Sequence, residues 1–254
     1  MKITKLPRAI SAIALIWTAG AAWQAQARPV SAAIIASVAD PGRPAKDTAL
    51  DAARKPADIL SFIRLHPGET IVDVFPGAYW DRLFSKVVGP TGHVDMFLPL
   101  EAAKAEHIPV LAEGASPLPN HPNVTAYSGP INNFSIPKPA DIIWIRQNYH
   151  DLYDPFMGPA NVPVFNKAVF NALKPGGYFV VIDHSAPAGS GLADTNTTHR
   201  IDGSAVKTDM AAAGFKFVGE SNVLRNPADT RLDKVFAPSI RGKTDQFIYL
   251  FQKP

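Results

Sequence analysis

From residue 70 onward the chain alternates short apolar runs with stretches whose apolar residues recur at helical spacing. Thr70 to Phe75, Gly92 to Leu98, Asn123 to Tyr127, Asp141 to Ile145 and Tyr178 to Asp183 are runs of strand length. Phe215 to Glu220 and Gln246 to Phe251 follow near the C-terminus. Tyr79 to Val88, Leu100 to Glu113, Val162 to Leu173 and Gly203 to Ala213 lie between them and read as helices. A near-continuous apolar strand is one buried on both faces. Helix–strand alternation of this kind predicts a mostly parallel sheet covered by helices on both sides, the doubly wound α/β class. Upstream, Asp47 is placed to cap a helix reaching about Leu65, with Leu50, Ala53, Ala57, Leu60 and Ile63 on one face. Pro56 falls inside that pattern and predicts a kink or two shorter helices.

The most informative stretch is Asn171 to His184, NALKPGGYFVVIDH. Pro175 stops a helix and the Gly176-Gly177 pair allows a tight reversal. The apolar run that follows ends in Asp183 and His184. Two connections, Ser185 to Asp202 and Asn222 to Asp245, are long for simple links, and long ordered loops often carry function.

The first 27 residues change the organisation. Lys2, Lys5 and Arg8 precede an apolar segment from Ala9 to Ala22, and Ala25-Gln26-Ala27 is a small-x-small cleavage site. This is the pattern of a secretory signal peptide. It predicts a mature chain from Arg28, exported to a periplasmic or extracellular location. Residues 28–46, rich in Ala, Pro and Ser, read as a linker or N-terminal arm, and 47–254 as one domain. The leader holds three of the 25 Lys and Arg residues and none of the 22 Asp and Glu. The mature chain is therefore charge-balanced, and nothing in it points to nucleic acid or an anionic membrane. With no cysteine, disulfides, thiolate metal sites and a cysteine nucleophile are excluded.

Asp73 and Gly77 after the first strand, the Leu173 to Gly177 turn, the Ala213-Gly214-Phe215 unit and the late strand pair resemble the class I S-adenosylmethionine-dependent methyltransferases. More narrowly, Asn148 to Leu152, Asp194 to Asp202, Leu224 to Pro227 and Arg241 to Gln246 are similar to a group of exported members of that family. The resemblance covers roughly residues 47–254. It implies a Rossmann-like, seven-stranded sheet with the last strand antiparallel, S-adenosylmethionine as cofactor and a small-molecule acceptor. The family's acidic-x-Gly-x-Gly-x-Gly loop corresponds to Asp73-Val74-Phe75-Pro76-Gly77-Ala78-Tyr79. Only the acid and the middle glycine match. Leu98 stands where the family carries an acid for the ribose hydroxyls, and its side chain accepts no hydrogen bond.

In an open α/β sheet, ligands bind beyond the carboxyl ends of the strands. Tyr149, His150 and Asp151 follow one such end, Asp183 and His184 close another, and Asp194, Asn196, His199, Arg200 and Asp202 lie in the loop beyond. Three readings stand. In a methyl-transfer site, Asp73 and Gly77 hold the cofactor, Tyr149 or Asp151 lines its pocket, and His150 or His199 is the general base; in the plainer reading Asp73 caps the turn and Gly77 is a backbone necessity. Tyr79, with Trp80, either stacks on an adenine-like ring or is packed core. In a metal site, His150, His184 and His199 combine with Asp151 or Asp194. In the structural reading, these groups satisfy one another and the backbone at loop junctions. Arg225, Arg241 and Lys243 either clamp an anion or pin a loop. The leading expectation is a methyltransferase. The alternatives are an exported binding protein that keeps the fold without the cofactor, and a metal-dependent enzyme.

Overall fold

The apolar runs form strands whose alternate residues enter two separate cores, one on each face of a single sheet. The computed structural model describes residues 30–114, 116–158 and 160–254, so the 1–27 leader lies outside the described residues. The strands are β1 (Thr70–Val74), β2 (His93–Pro99), β3 (Val124–Gly129), β4 (Ala140–Arg146), β5 (Leu173–His184), β6 (Lys216–Ser221) and β7 (Gln246–Gln252). Their order across the sheet is β3-β2-β1-β4-β5-β7-β6. The pairs from β3 to β5 are parallel, and β7 runs antiparallel to both β5 and β6. This is the seven-stranded sheet that the resemblance implies.

Strand parity decides which core each residue joins, because successive strand side chains point to opposite faces. Val72 and Val74, Ile143 and Ile145, Phe179 and Val181, and Phe247 and Phe251 face one side. Ile71, Ile142 and Trp144, Val180 and Ile182, and Ile248 and Leu250 face the other. The first face packs on α7 (Val162–Ala172) and α9 (Gly203–Ala213), which contact each other. The second packs on α1 (Ala32–Val38), α4 (Pro56–Phe62) and α5 (Tyr79–Val88).

Residues 30–46 are therefore a docked arm. Ser31 caps α1, and Ser37 donates to the Leu83 carbonyl of α5 at 2.9 Å. The helix expected over 47–65 is three short ones, α2 (Ala45–Thr48), α3 (Asp51–Arg54) and α4, with the last break at Pro56. α6 (Leu100–Ala105) is shorter than the 100–113 pattern suggests, because His107 adopts a left-handed φ of 55° just before Pro109. β5 begins earlier than expected, at Leu173, which pairs with Ala140 across an irregularity in register. Gly177 is needed there: a Cβ would lie 2.9 Å from the Asp141 carbonyl oxygen.

Both long loops are ordered and tied together. A last short helix, α8 (Thr195–Thr198), sits in the first of them. Arg200, with no exposed surface, forms a two-pronged ion pair with Asp229 at 2.9 and 3.2 Å. Val235 N donates to the Thr198 carbonyl, and Ser185 N to that of Asp245.

Candidate functional site

The carboxyl ends of β1, β4 and β5 open into a cleft of about 680 Å³, within the usual range for small-molecule sites. Asp73, Phe75 and Gly77 line it from the β1 side, Arg146 and Gln147 from the end of β4, and His184 from the end of β5. The β1 loop holds a glycine-like path without the glycines: Phe75 has φ 67° and Ala78 φ 61°. Each such non-glycine residue costs on the order of 1–2 kcal/mol, and strained backbone of this kind clusters at functional sites. Gly77 lies outside the left-handed region, and a Cβ added to it meets nothing within 4 Å. The fold does not require a glycine there; the bare backbone faces open cleft.

Asp73 is buried beside Asp81 of α5, whose Oδ2 accepts the Ala78 N–H at 2.8 Å. Burial, with the neighbouring Asp81, raises Asp73 well above the usual carboxylate range, and burial raises Asp81 to about 6. Burial thus favours the protonated form of each carboxyl in the pair. Arg146 stands near it with its Nε unpaired among the described residues; burial and Arg54 lower its guanidinium to about 9.

Two expected cofactor residues are placed elsewhere. The Tyr79 hydroxyl donates to Asp51 at 2.6 Å, and Arg54 lies 4.3 Å over its ring. The ring is buried against the arm and is not among the cleft-lining residues. Tyr149 is fully buried, donates to Asp209 and accepts from Asn166 at 2.8 Å, on the α7–α9 side of the sheet. The 3₁₀ turn at His150–Tyr153 sends Tyr149 and the next side chain in different directions. Asp151, the alternative to Tyr149, does line the cleft.

The structure brings together His150, Asp151 and His199. His150 Nε2 lies 3.1 Å from Asp151 Oδ1 and 3.4 Å from His199 Nδ1, and the last two atoms are 3.7 Å apart. Asp183, fully buried, fixes this cluster: Oδ2 accepts the His150 backbone N–H and Oδ1 faces His150 Nδ1, both at 2.8 Å. Burial alone lowers the His150 pKa, but the Asp183 and Asp151 carboxylates override it and hold the imidazole up to about 10. In this state His150 is charged at neutral pH and is no general base, which leaves His199 for that role. His199 caps α8 in a left-handed conformation, φ 55°. Asp151 is held below its usual range by His150 against the opposing effect of burial.

His184 stands apart from the three. Its Nδ1 faces Thr244 Oγ1 at 2.7 Å, and burial, then His150 and Arg146, push its pKa well below normal, so it is neutral. Asp194 is not part of the cluster either; its carbonyl accepts the Thr198 and Arg200 N–H groups. Arg225 pairs with Asp245 at 3.1 Å and helps pin the β6–β7 loop.

Beside Trp80, which the sequence leaves open between stacking and packed core, the cleft holds residues that the sequence does not assign to a site, Trp144, Arg146 and Glu106 among them. Trp80 and Trp144, with ring centroids 5.0 Å apart, line it, and neither buried indole N–H has a partner among the described residues. Glu106, the C-terminal cap of α6, is an acid the cleft does present, unlike the buried Leu98. Parity was the available signal: Asp73 stands opposite Trp144 in register, and Arg146 opposite Ile182.

No family model and no curated protein matches the sequence. Solved structures do. A SAM-dependent methyltransferase from Aquifex aeolicus is 20% identical with a TM-score of 0.50, over 84% of this chain and 99% of that one. An S-adenosylmethionine-dependent methyltransferase from Mesorhizobium loti is 16% identical with a TM-score of 0.50, over 80% and 99%. The [4+2]-cyclase SpnF is 14% identical with a TM-score of 0.51, over 83% and 82%. The chain has the class I methyltransferase fold. At these identities the likeness establishes architecture, and the chemistry must be argued from the site, since one fold hosts many reactions.

Proposed function

We propose that the protein is an S-adenosylmethionine-dependent methyltransferase acting on a small-molecule acceptor. One observation carries the reading: a cleft of about 680 Å³ lies beyond β1 and β4 of this fold, with Gly77 presenting bare backbone to it. The donor set fits the cofactor. Unpaired buried donors call for an acceptor, and the Arg146 guanidinium and the Trp80 and Trp144 indoles suit a ligand with a carboxylate and an aromatic ring. Glu106 supplies an acid for hydroxyl groups in place of Leu98.

When bound, the cofactor supplies an electrophilic methyl group. The residues of this chain would do the rest: the β1 loop and Arg146 hold the ligand, and Phe156 and Phe236 wall the cleft against water. His199, beside Asp151, accepts the acceptor proton. Most of the rate would come from orientation. Calorimetry with S-adenosylmethionine and S-adenosylhomocysteine tests this. Saturable binding of both is expected, and no heat with either refutes the reading in favour of the fold used as a binding protein. The export reading of residues 1–27 is tested separately: N-terminal sequencing of the extracytoplasmic fraction is expected to start at Arg28, and recovery only in the cytosol with Met1 intact refutes it.

A further inference from the structure

We propose that His150 Nε2, Asp151 Oδ1 and His199 Nδ1 form a three-ligand site for a borderline divalent transition cation of the zinc or ferrous type, with its open position toward the cleft. The first argument is the donor triangle. Its sides are 3.1, 3.4 and 3.7 Å. Metal bonds of roughly 2.0–2.2 Å to nitrogen and oxygen at tetrahedral angles place neighbouring donors about 3.4 Å apart. A circle through the three atoms has a radius of about 2.0 Å, so a cation at bonding distance from all three sits just out of their plane, as in a tetrahedral site with one position left over.

The second argument is the support behind the donors. Metal-binding histidines almost always donate their other ring nitrogen to a carboxylate or carbonyl, and ligating carboxylates are themselves hydrogen-bonded. Asp183 Oδ1 engages His150 Nδ1 and leaves Nε2 for the cation, which displaces the proton that Nε2 carries in the metal-free protein. Asn148 Nδ2 donates to Asp151 Oδ2 at 2.8 Å and leaves Oδ1 facing the two imidazoles. His199 reaches the same point through its left-handed backbone, and the next residue, Arg200, is anchored in the buried ion pair with Asp229. Two imidazoles and one carboxylate suit zinc or ferrous iron better than magnesium or calcium, which prefer oxygen alone.

All three ligands line the cleft, so the open position meets whatever lies there. A hydroxyl or carboxylate oxygen of the acceptor is the donor that would complete the coordination. This last role rests on the methyl-transfer reading, and with the cation bound His199 is a ligand rather than the proton acceptor; the cation site itself does not rest on that reading.

The test uses the full chain, purified without a polyhistidine tag and stripped of metal, titrated with Co²⁺. A stoichiometric d–d absorption band, displaced by Zn²⁺, is expected. His199→Ala, whose side chain is partly exposed and should not unfold the protein, loses the band. Asp183→Asn weakens affinity by roughly 10–100-fold, and the exposed His107→Ala changes nothing. Absence of a saturable band at millimolar Co²⁺, or a band that survives His199→Ala in a folded protein, overturns the proposal. S-adenosylmethionine binding measured on the same samples separates the two ideas. Cofactor binding without a cation site overturns this proposal alone, and a cation site without cofactor binding overturns only methyl transfer.

Discussion

Replacing Arg200 with methionine tests whether the His199 loop is held by a buried charge pair. Arg200 and Asp229 are essentially without solvent exposure. Arg200 also donates to the Ser185 and Asp233 carbonyls at 3.1 and 2.9 Å, while Asp229 accepts the Asp245 and Arg231 N–H groups at 2.6 and 2.9 Å. Arg200→Met therefore strands a buried carboxylate and two carbonyls while roughly conserving volume. Breaking one side of such a pair costs about 3–5 kcal/mol. At about 2–4 °C per kcal/mol for a domain of this size, the melting temperature should fall by roughly 10 °C. Calorimetric melting at neutral pH measures it. Removing the stranded charge, in Arg200→Met with Asp229→Asn, should recover part of the loss, because the two sites share one network. A single-variant cost under about 1 kcal/mol refutes the argument, since surface pairs are worth no more than that.

Three further outcomes follow from the site. Gly77→Ala should leave the melting temperature within about 1 °C, because its Cβ meets nothing and its φ is ordinary, yet weaken S-adenosylmethionine binding at least about tenfold, or 1.4 kcal/mol; calorimetry showing unchanged affinity refutes the close approach of a ligand. Tyr79→Phe should cost about 1–2 kcal/mol through the lost bond to Asp51 and leave that affinity unchanged; a binding defect without a stability defect would return Tyr79 to the cofactor site. Asp73 and Asp81 are both raised on folding, so the native state binds more protons than the unfolded chain and stability falls as pH rises from about 4 through about 6. Asp81→Asn removes part of that slope, a change on the order of 2 kcal/mol, and denaturant titrations giving parallel pH profiles for both proteins would refute it.

The sheet was legible because its information is local. Each apolar run carries the signature of burial on both faces, and the helices between them carry caps and stops. The faces of the cleft were legible in principle from the same parity. Ile71, Ile142 and Ile182 share one side of the sheet, and Asp73, Arg146 and His184 are each two or four residues further along on the same side. Polar residues that continue an apolar parity at strand ends mark a site mouth. The position of Tyr149 was not legible, because it follows the strand in a turn where alternation no longer applies. Nor was the meeting of His150 with His199, which depends on a left-handed residue and on an ion pair between two loops far apart in sequence. The short α6 shows the same limit: Pro109 marks a disturbance in the 100–113 pattern, but nothing in it registers the left-handed turn at His107 that follows the helix.

Substitution of the β1-loop glycines takes on a different meaning once the backbone is known. A glycine loop serves two purposes: it permits left-handed dihedrals, and it removes side chains from the approach of a ligand. The chain retains the first at Phe75 and Ala78 with ordinary residues, at on the order of 1–2 kcal/mol each, and the second at Gly77 alone. Phe75 offsets its strain by packing against the core on the α7–α9 side, and Ala78 by donating its N–H to Asp81. A loop without a ligand to cradle would gain by relaxing these two residues into ordinary dihedrals. Two ordinary residues in left-handed dihedrals at the mouth of the cleft, beside one bare position that faces it, are the physical case for a cradle, and Gly77→Ala is where that case is most exposed.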